Sequence, residues 1–208
     1  MAVIFVQLGE EVFVEGSLSH ALAEGVRRGY QDGYYRASVL DAVTRVNTKD
    51  NTPPIIHLET MPGDKLILDL APKGAGSENK SRQAMLNPAQ GMEGVEEFVL
   101  QAVREMGPYA CPPLVVGMGI GGNFETSCEL AKRALIQPFD RINPRDELAA
   151  LESRLLRRIN RLGIGPMGLG GSTTALAVHA LTAPTHIAQL PVAVNLQCHC
   201  LRHSHGEL

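Results

Sequence analysis

The sequence predicts an α+β fold, a mixed sheet with packed helices in a single domain spanning residues 1–208. Three observations predict it. Apolar runs of strand length recur along the chain, amphipathic stretches with a helical period stand between them, and no internal repeat or low-complexity linker divides it. A chain of 208 residues is long enough to bury a sizeable core. With 4% aromatic residues and no Trp, that core must be built from Val, Leu, Ile and Ala.

The chain opens on the strand-like run AVIFVQL, and VFVEG reads as a second, shorter strand. Leu18, Leu22, Val26 and Tyr30 mark one face of a helix over 17–35, where Gly25 and Gly29 suggest close packing on one side; Arg36 follows its end. PIIHLET and DKLILDLAP, joined through MPGD, read as a hairpin. Val95, Phe98, Val99, Ala102, Val103 and Met106 share a helical face over 93–106. PLVVGMG has the continuous apolar character of a buried strand, and ETSCELAKRALI the pattern of a helix. Asn143, Pro144 and Asp146 form a helix-start signal, after which Leu148, Leu151, Leu155, Ile159 and Leu162 carry an apolar face to a stop at Gly163. The loop GIGPMGLGGS and a last strand within HIAQLPVAVNLQC complete the chain before a terminal Cys/His cluster.

Charge and composition exclude several classes. With 19 Lys plus Arg against 22 Asp plus Glu, the net charge of -3 disfavours a phosphate backbone, and bases would find few aromatic rings to stack on, so no nucleic-acid partner is expected. No stretch approaches the roughly 20 apolar residues of a membrane span, and the start lacks the basic region of a signal peptide; no membrane association and a cytoplasmic location are expected. Four cysteines in such a chain point to free thiols or metal ligands rather than a disulfide framework.

Gly117, Gly119 and Gly122 match G-x-G-x-x-G between a strand and a helix, the local context of a pyrophosphate site. The acid such a fold needs on a second strand has only Asp140, at the end of the weak, Pro-interrupted strand IQPFD, so turning and close packing compete as the role of these glycines. KGAGSENKS resembles a phosphate loop, but Asn79 stands where a glycine must precede Lys80. What remains is a loop of exposed amides with Lys73 and Lys80, suited to a small anion, against the alternative of a solvated turn. Cys111 precedes Pro112 and Pro113, which stiffen its position as a metal ligand requires; a buried apolar cysteine is the competing reading. In CHCLRHSH the crowding of Cys198, Cys200, His203 and His205 raises a zinc site, at a spacing tighter than usual and on a chain end expected to be mobile.

RVNTKDNTPPIIHLE, DLAPKGAGSENKS, ACPPLVVGMGIGGNFETSCELAKRAL, LGIGPMGLGG and PTHIAQLPVAVNLQCH together resemble the alpha subunit of iron-sulfur (class I) fumarate hydratases and the related L-tartrate dehydratases, over nearly the whole chain. The resemblance implies a hydro-lyase that interconverts fumarate and malate, with a tartrate or other hydroxy-dicarboxylate dehydratase as the alternative. It implies a four-iron, four-sulfur cluster with Cys111 and Cys198 as two of three cysteine ligands, the third expected upstream of Met1 in a Cys-Gln-Asp-Thr-Gly motif. Cys128 and Cys200 are not implicated. Arg36 and Gly76 match substrate-binding positions, and His186 matches a histidine near cluster and substrate. Lys80 is expected to help the KGAGSENK loop hold a carboxylate. The resemblance further implies a beta subunit or C-terminal domain that supplies the general base, and an oligomer. A non-catalytic assembly domain is the alternative of another class.

Overall fold

The computed structural model describes residues 1–208 and has an α+β fold, divided into two compact units with separate sheets. No helix is long and apolar enough to cross a membrane.

The first unit holds Met1–Lys73 and Arg202–Leu208. Its strands β1 (Ala2–Gly9), β2 (Ile55–Met61), β3 (Leu66–Pro72) and β8 (Ser204–Glu207) lie in the order β2-β1-β3-β8. Helix α1 (Leu18–Asp32), capped by the Ser17 side chain on His20 N–H, lays Val26, Leu18 and Leu22 on Ala2, Ile4 and Val6. Four sequence expectations fail here. The segments read as a hairpin do not pair with each other: β1 lies between them, parallel to β2 and antiparallel to β3. Its apolar run makes β1 the central strand, and the link from β2 to β3 crosses its end so closely that a Cβ on Gly9 would stand 2.3 Å from the Gly63 carbonyl oxygen. VFVEG is coil and bend with Phe13 89% exposed, not a strand. Gly25 and Gly29 have nothing within 4 Å of a Cβ, so no close packing explains them. The chain end is strand β8, with His205 Nδ1 2.8 Å from Asp69 Oδ1.

The second unit, Gly74–Leu201, begins with the short helix α2 (Ala75–Glu78) and strand β4 (Arg82–Leu86). Helix α3 (Gly91–Met106), strand β5 (Leu114–Gly121), helices α4 (Phe124–Ala134) and α5 (Asp146–Asn160), and strands β6 (Ala175–Ala183) and β7 (Leu190–Gln197) follow. The sheet order is β4-β7-β5-β6, with only β5 and β6 parallel. Every residue of β5 is buried, as expected of a central strand covered on both faces. Val116, Met118 and Ile120 meet Val95, Val99, Leu151 and Leu155 of α3 and α5 in the main core.

The opposite face of β5 carries the glycines. A Cβ on Gly117 would lie 2.2 Å from Ala131 O, and one on Gly119 1.9 Å from Ser127 O, both backbone atoms of α4. These glycines therefore serve close packing. The first turn of α4 is already capped, Asn123 Oδ1 accepting from Thr126 N–H.

Asn143 does not cap α5, whose first flanking residue is Arg145. It is buried, and with Glu152 it satisfies the outer edge of β6: Asn143 Nδ2 donates to Ala180 O at 3.1 Å and Ala180 N–H donates to Glu152 Oε1 at 2.7 Å. Edge strands need such cover.

Helices α3 and α5 are joined by Glu96, whose nearly buried carboxylate accepts from Arg154 Nε and Nη2 at 3.0 and 2.6 Å and from Arg158 Nη1 at 2.8 Å. Hydrogen bonding by Arg154 and then Arg158 outweighs burial and lowers its pKa. A depressed carboxylate stabilises the fold above its unfolded-state pKa and loses that contribution as pH falls through the folded-state value. Glu96→Gln is expected to cost about 1–3 kcal/mol at neutral pH. Urea unfolding of both proteins should show this difference shrinking below about pH 4.5.

Candidate functional site

Strand directions decide which sequence-marked residues meet. Cys111 stands just before β5, and β7 runs antiparallel to that strand with Gln197 opposite Val115, so Cys198 reaches the same end of the sheet. A direct link confirms the approach: His199 donates its amide N–H to the Cys111 carbonyl at 3.3 Å, and His199 Nδ1 lies 3.0 Å from the same oxygen. Both thiols are free; Cys111 is exposed and Cys198 half-buried, with Gln197 Nε2 3.7 Å from the Cys198 sulfur. Cys111 has a φ of 55°, left-handed backbone that a non-glycine residue adopts at a cost of about 1 kcal/mol or more.

The loop of 163–174 enters β6, parallel to β5, and therefore lies at this end too. Met167 N–H donates to Pro112 O at 2.8 Å. Gly165 makes this fold-back close: its φ is 67°, and a Cβ there would stand 2.0 Å from Gly170 O. Leu169 and Met167, 88% and 53% exposed, stand on the loop.

Lys80 joins the same end because β4 pairs antiparallel with β7, Arg82 opposite Val194. Its Nζ lies 5.5 Å from the centre of the Tyr109 ring, two residues before Cys111. Asn195 Nδ2, bonded to Ser81 Oγ at 2.8 Å and Glu78 Oε2 at 3.1 Å, ties the loop to β7. Gly76, within α2, is exposed, with open space where a side chain would be.

His186 is not brought to this group. It sits in the connection from β6 to β7, at the far end of β7, an eight-residue strand and hence roughly 25 Å of extended chain at about 3.3 Å per residue. Its Nδ1 accepts from Ala188 N–H at 3.2 Å, leaving Nε2 as the protonated nitrogen of the neutral ring. Arg36 belongs to the first unit, in the loop after α1, and is exposed with no side-chain hydrogen bond or ion pair.

Cys128, in α4, is partly buried, and burial raises its pKa, which keeps the thiol protonated. Cys200 is exposed. No group of three or more His, Cys, Asp or Glu side chains is placed to hold a metal, those of CHCLRHSH included. Tyr109, Gln197 and His199 were not marked by the sequence reading; adjacency to YACPP and LQCH was the signal for them.

The donor set therefore suits a thiophilic inorganic group in part: two free cysteines share one sheet end, with a lysine and open loop backbone available to an anion beside them. A family model described as fumarate hydratase (Fumerase) matches residues 1–207. A putative L(+)-tartrate dehydratase subunit alpha of Methanocaldococcus jannaschii is 40% identical over 203 residues, covering 94% of this chain and 71% of the relative. The L(+)-tartrate dehydratase subunit alpha of Escherichia coli strain UTI89 is 33% identical over 198 residues, 93% of this chain and 65% of the relative. That of Shigella sonnei is 32% identical, again with 93% and 65% covered. The chain thus spans about two thirds of the length of these relatives.

Proposed function

Because the chain belongs to the fumarate hydratase family, we propose that it is the alpha part of an iron-sulfur hydro-lyase that reversibly hydrates fumarate to malate, residues 1–208 acting as one alpha-type catalytic domain. The observation that carries this reading is the convergence of Cys111 and Cys198 on one sheet end within a chain matched along its length.

In this reading Cys111 and Cys198 supply two thiolates to a four-iron, four-sulfur cluster. When bound, such a cluster supplies a Lewis-acidic iron that polarises substrate oxygens. The remaining work falls to side chains. Lys80 offers a positive charge, and the exposed backbone at Gly76 lets a carboxylate approach without a side chain in the way. Arg36 offers a planar fork for a carboxylate. A beta subunit, the partner implied by relatives named as alpha subunits, supplies the general base. His186 donates from Nε2 to a substrate carboxylate; since β7 separates it from the cysteines of its own copy, that role is met in an oligomer, by a second copy of the chain.

A second reading, dehydration of L-tartrate, is favoured by the names of the relatives at 40% and 33% identity. Anaerobic reconstitution, with iron, sulfide and the beta partner, of a form extended to carry the third cysteine that the resemblance implies, followed by assays on fumarate, malate and L-tartrate, decides between them; residues 1–208 alone, one ligand short, are expected to be inactive. Hydration of fumarate is expected. Turnover of tartrate alone would overturn the first reading for the second, and turnover of none would overturn both.

A further inference from the structure

Where β5 and β6 end, away from the cysteines, a cavity of about 420 Å³ opens beside the first turns of α3 and α5. This is within the size range of small-molecule sites. Its apolar wall is made by Met92, Ile120, Leu148 and Leu151, with Met92 left 45% exposed. Two arginines border it, but they are not equivalent. Arg154 is committed to Glu96, to which it gives two hydrogen bonds. Arg145 gives one, from Nη1 to Thr182 Oγ1 at 3.0 Å, and its Nε makes only a long ion pair, at 3.9 Å, with Glu147, a lining residue whose side chain is 80% exposed. Its fork therefore has room for an anion. It also flanks the start of α5, which has no side-chain cap.

We infer that this cavity binds an aliphatic monocarboxylate, its carboxylate on Arg145 and the Thr182 hydroxyl and its tail against Ile120, Leu148, Leu151 and Met92. One charge and one apolar tail are what the lining can accommodate. A dicarboxylate would place its second charge against the apolar wall, where the other lining cation, Arg154, is already neutralised by Glu96, so the site discriminates against the substrates proposed for the cysteine end. A neutral hydrocarbon would leave the Arg145 fork unused.

The test is a ligand-observed NMR titration of the 208-residue chain with hexanoate, butanoate and adipate. Saturable hexanoate binding is expected, with about a fourfold loss for each methylene removed, so that butanoate binds about fifteenfold more weakly. Adipate should bind at least about tenfold more weakly than hexanoate. Arg145→Gln should weaken hexanoate at least about tenfold. Ala150→Phe, at an exposed lining position of α5, should fill the cavity and abolish binding. Failure to saturate, equal affinity for adipate and hexanoate, or hexanoate binding unchanged by either substitution would overturn the inference. None of these readouts depends on cluster loading or hydro-lyase activity.

Discussion

Gly119→Ala is expected to destabilise the second unit by about 3 kcal/mol or more, in the range of severe core overpacking. The added methyl would stand 1.9 Å from Ser127 O and 2.7 Å from Ala131 N. Both are main-chain atoms of α4, so no side-chain rotation relieves the clash; the helix must lift from the sheet or lose a turn. Lifting α4 opens the packing of Val115, Leu135 and Ala177 beneath it. Gly25→Ala is the contrasting substitution, because a Cβ there meets nothing and the residue lies inside α1. It should stabilise by about 0.5–1 kcal/mol, since alanine loses less backbone entropy than glycine in a helix. Urea unfolding checks both. A neutral Gly119→Ala would mean that α4 does not lie as close to β5 as described.

The second large effect concerns activity. In the reconstituted complex, Cys111→Ser and Cys198→Ser are each expected to lower hydro-lyase turnover about a hundredfold or more, because each removes a thiolate from the proposed cluster. Stability should change little, as Cys111 is exposed and Cys198 half-buried. Cys128→Ser and Cys200→Ser are expected to keep turnover within about twofold of the parent. Burial holds Cys128 protonated, and Cys200 lies beyond the turn that seats His199 against Cys111. Steady-state assays beside thermal melts separate loss of chemistry from loss of fold. Equal losses in all four variants would point to general thiol damage rather than to a site.

Much of the fold was legible in the sequence because one side of each element faces the core. The helical spacing of Val95, Val99 and Val103 and of Leu148, Leu151 and Leu155 predicted α3 and α5, and the unbroken apolar run predicted β5 as buried. Partner choice was not legible. PIIHLET and DKLILDLAP carry strand character, but nothing local says that β1, more than 40 residues upstream of β2, inserts between them. Asn143 misled because the signal for a helix cap is also the signal for any side chain that bonds nearby backbone; here it bonds the edge of β6 instead. At the site, Cys111 stood out through its prolines, Cys198 through the terminal Cys/His crowding but as a cluster ligand only through family resemblance, and His186 through that resemblance alone. Their placement follows from strand direction, which carries Cys198 toward Cys111 and leaves His186 at the other end of the same strand.

The central claim is that Cys111 and Cys198 grip one inorganic core. Counting iron and acid-labile sulfide per chain, after anaerobic reconstitution of the complex and removal of loose metal, tests it most directly. The account predicts that both counts fall to background in Cys111→Ser and in Cys198→Ser and stay at the parent level in Cys128→Ser and Cys200→Ser. A full complement of iron and sulfide in either of the first two would contradict it.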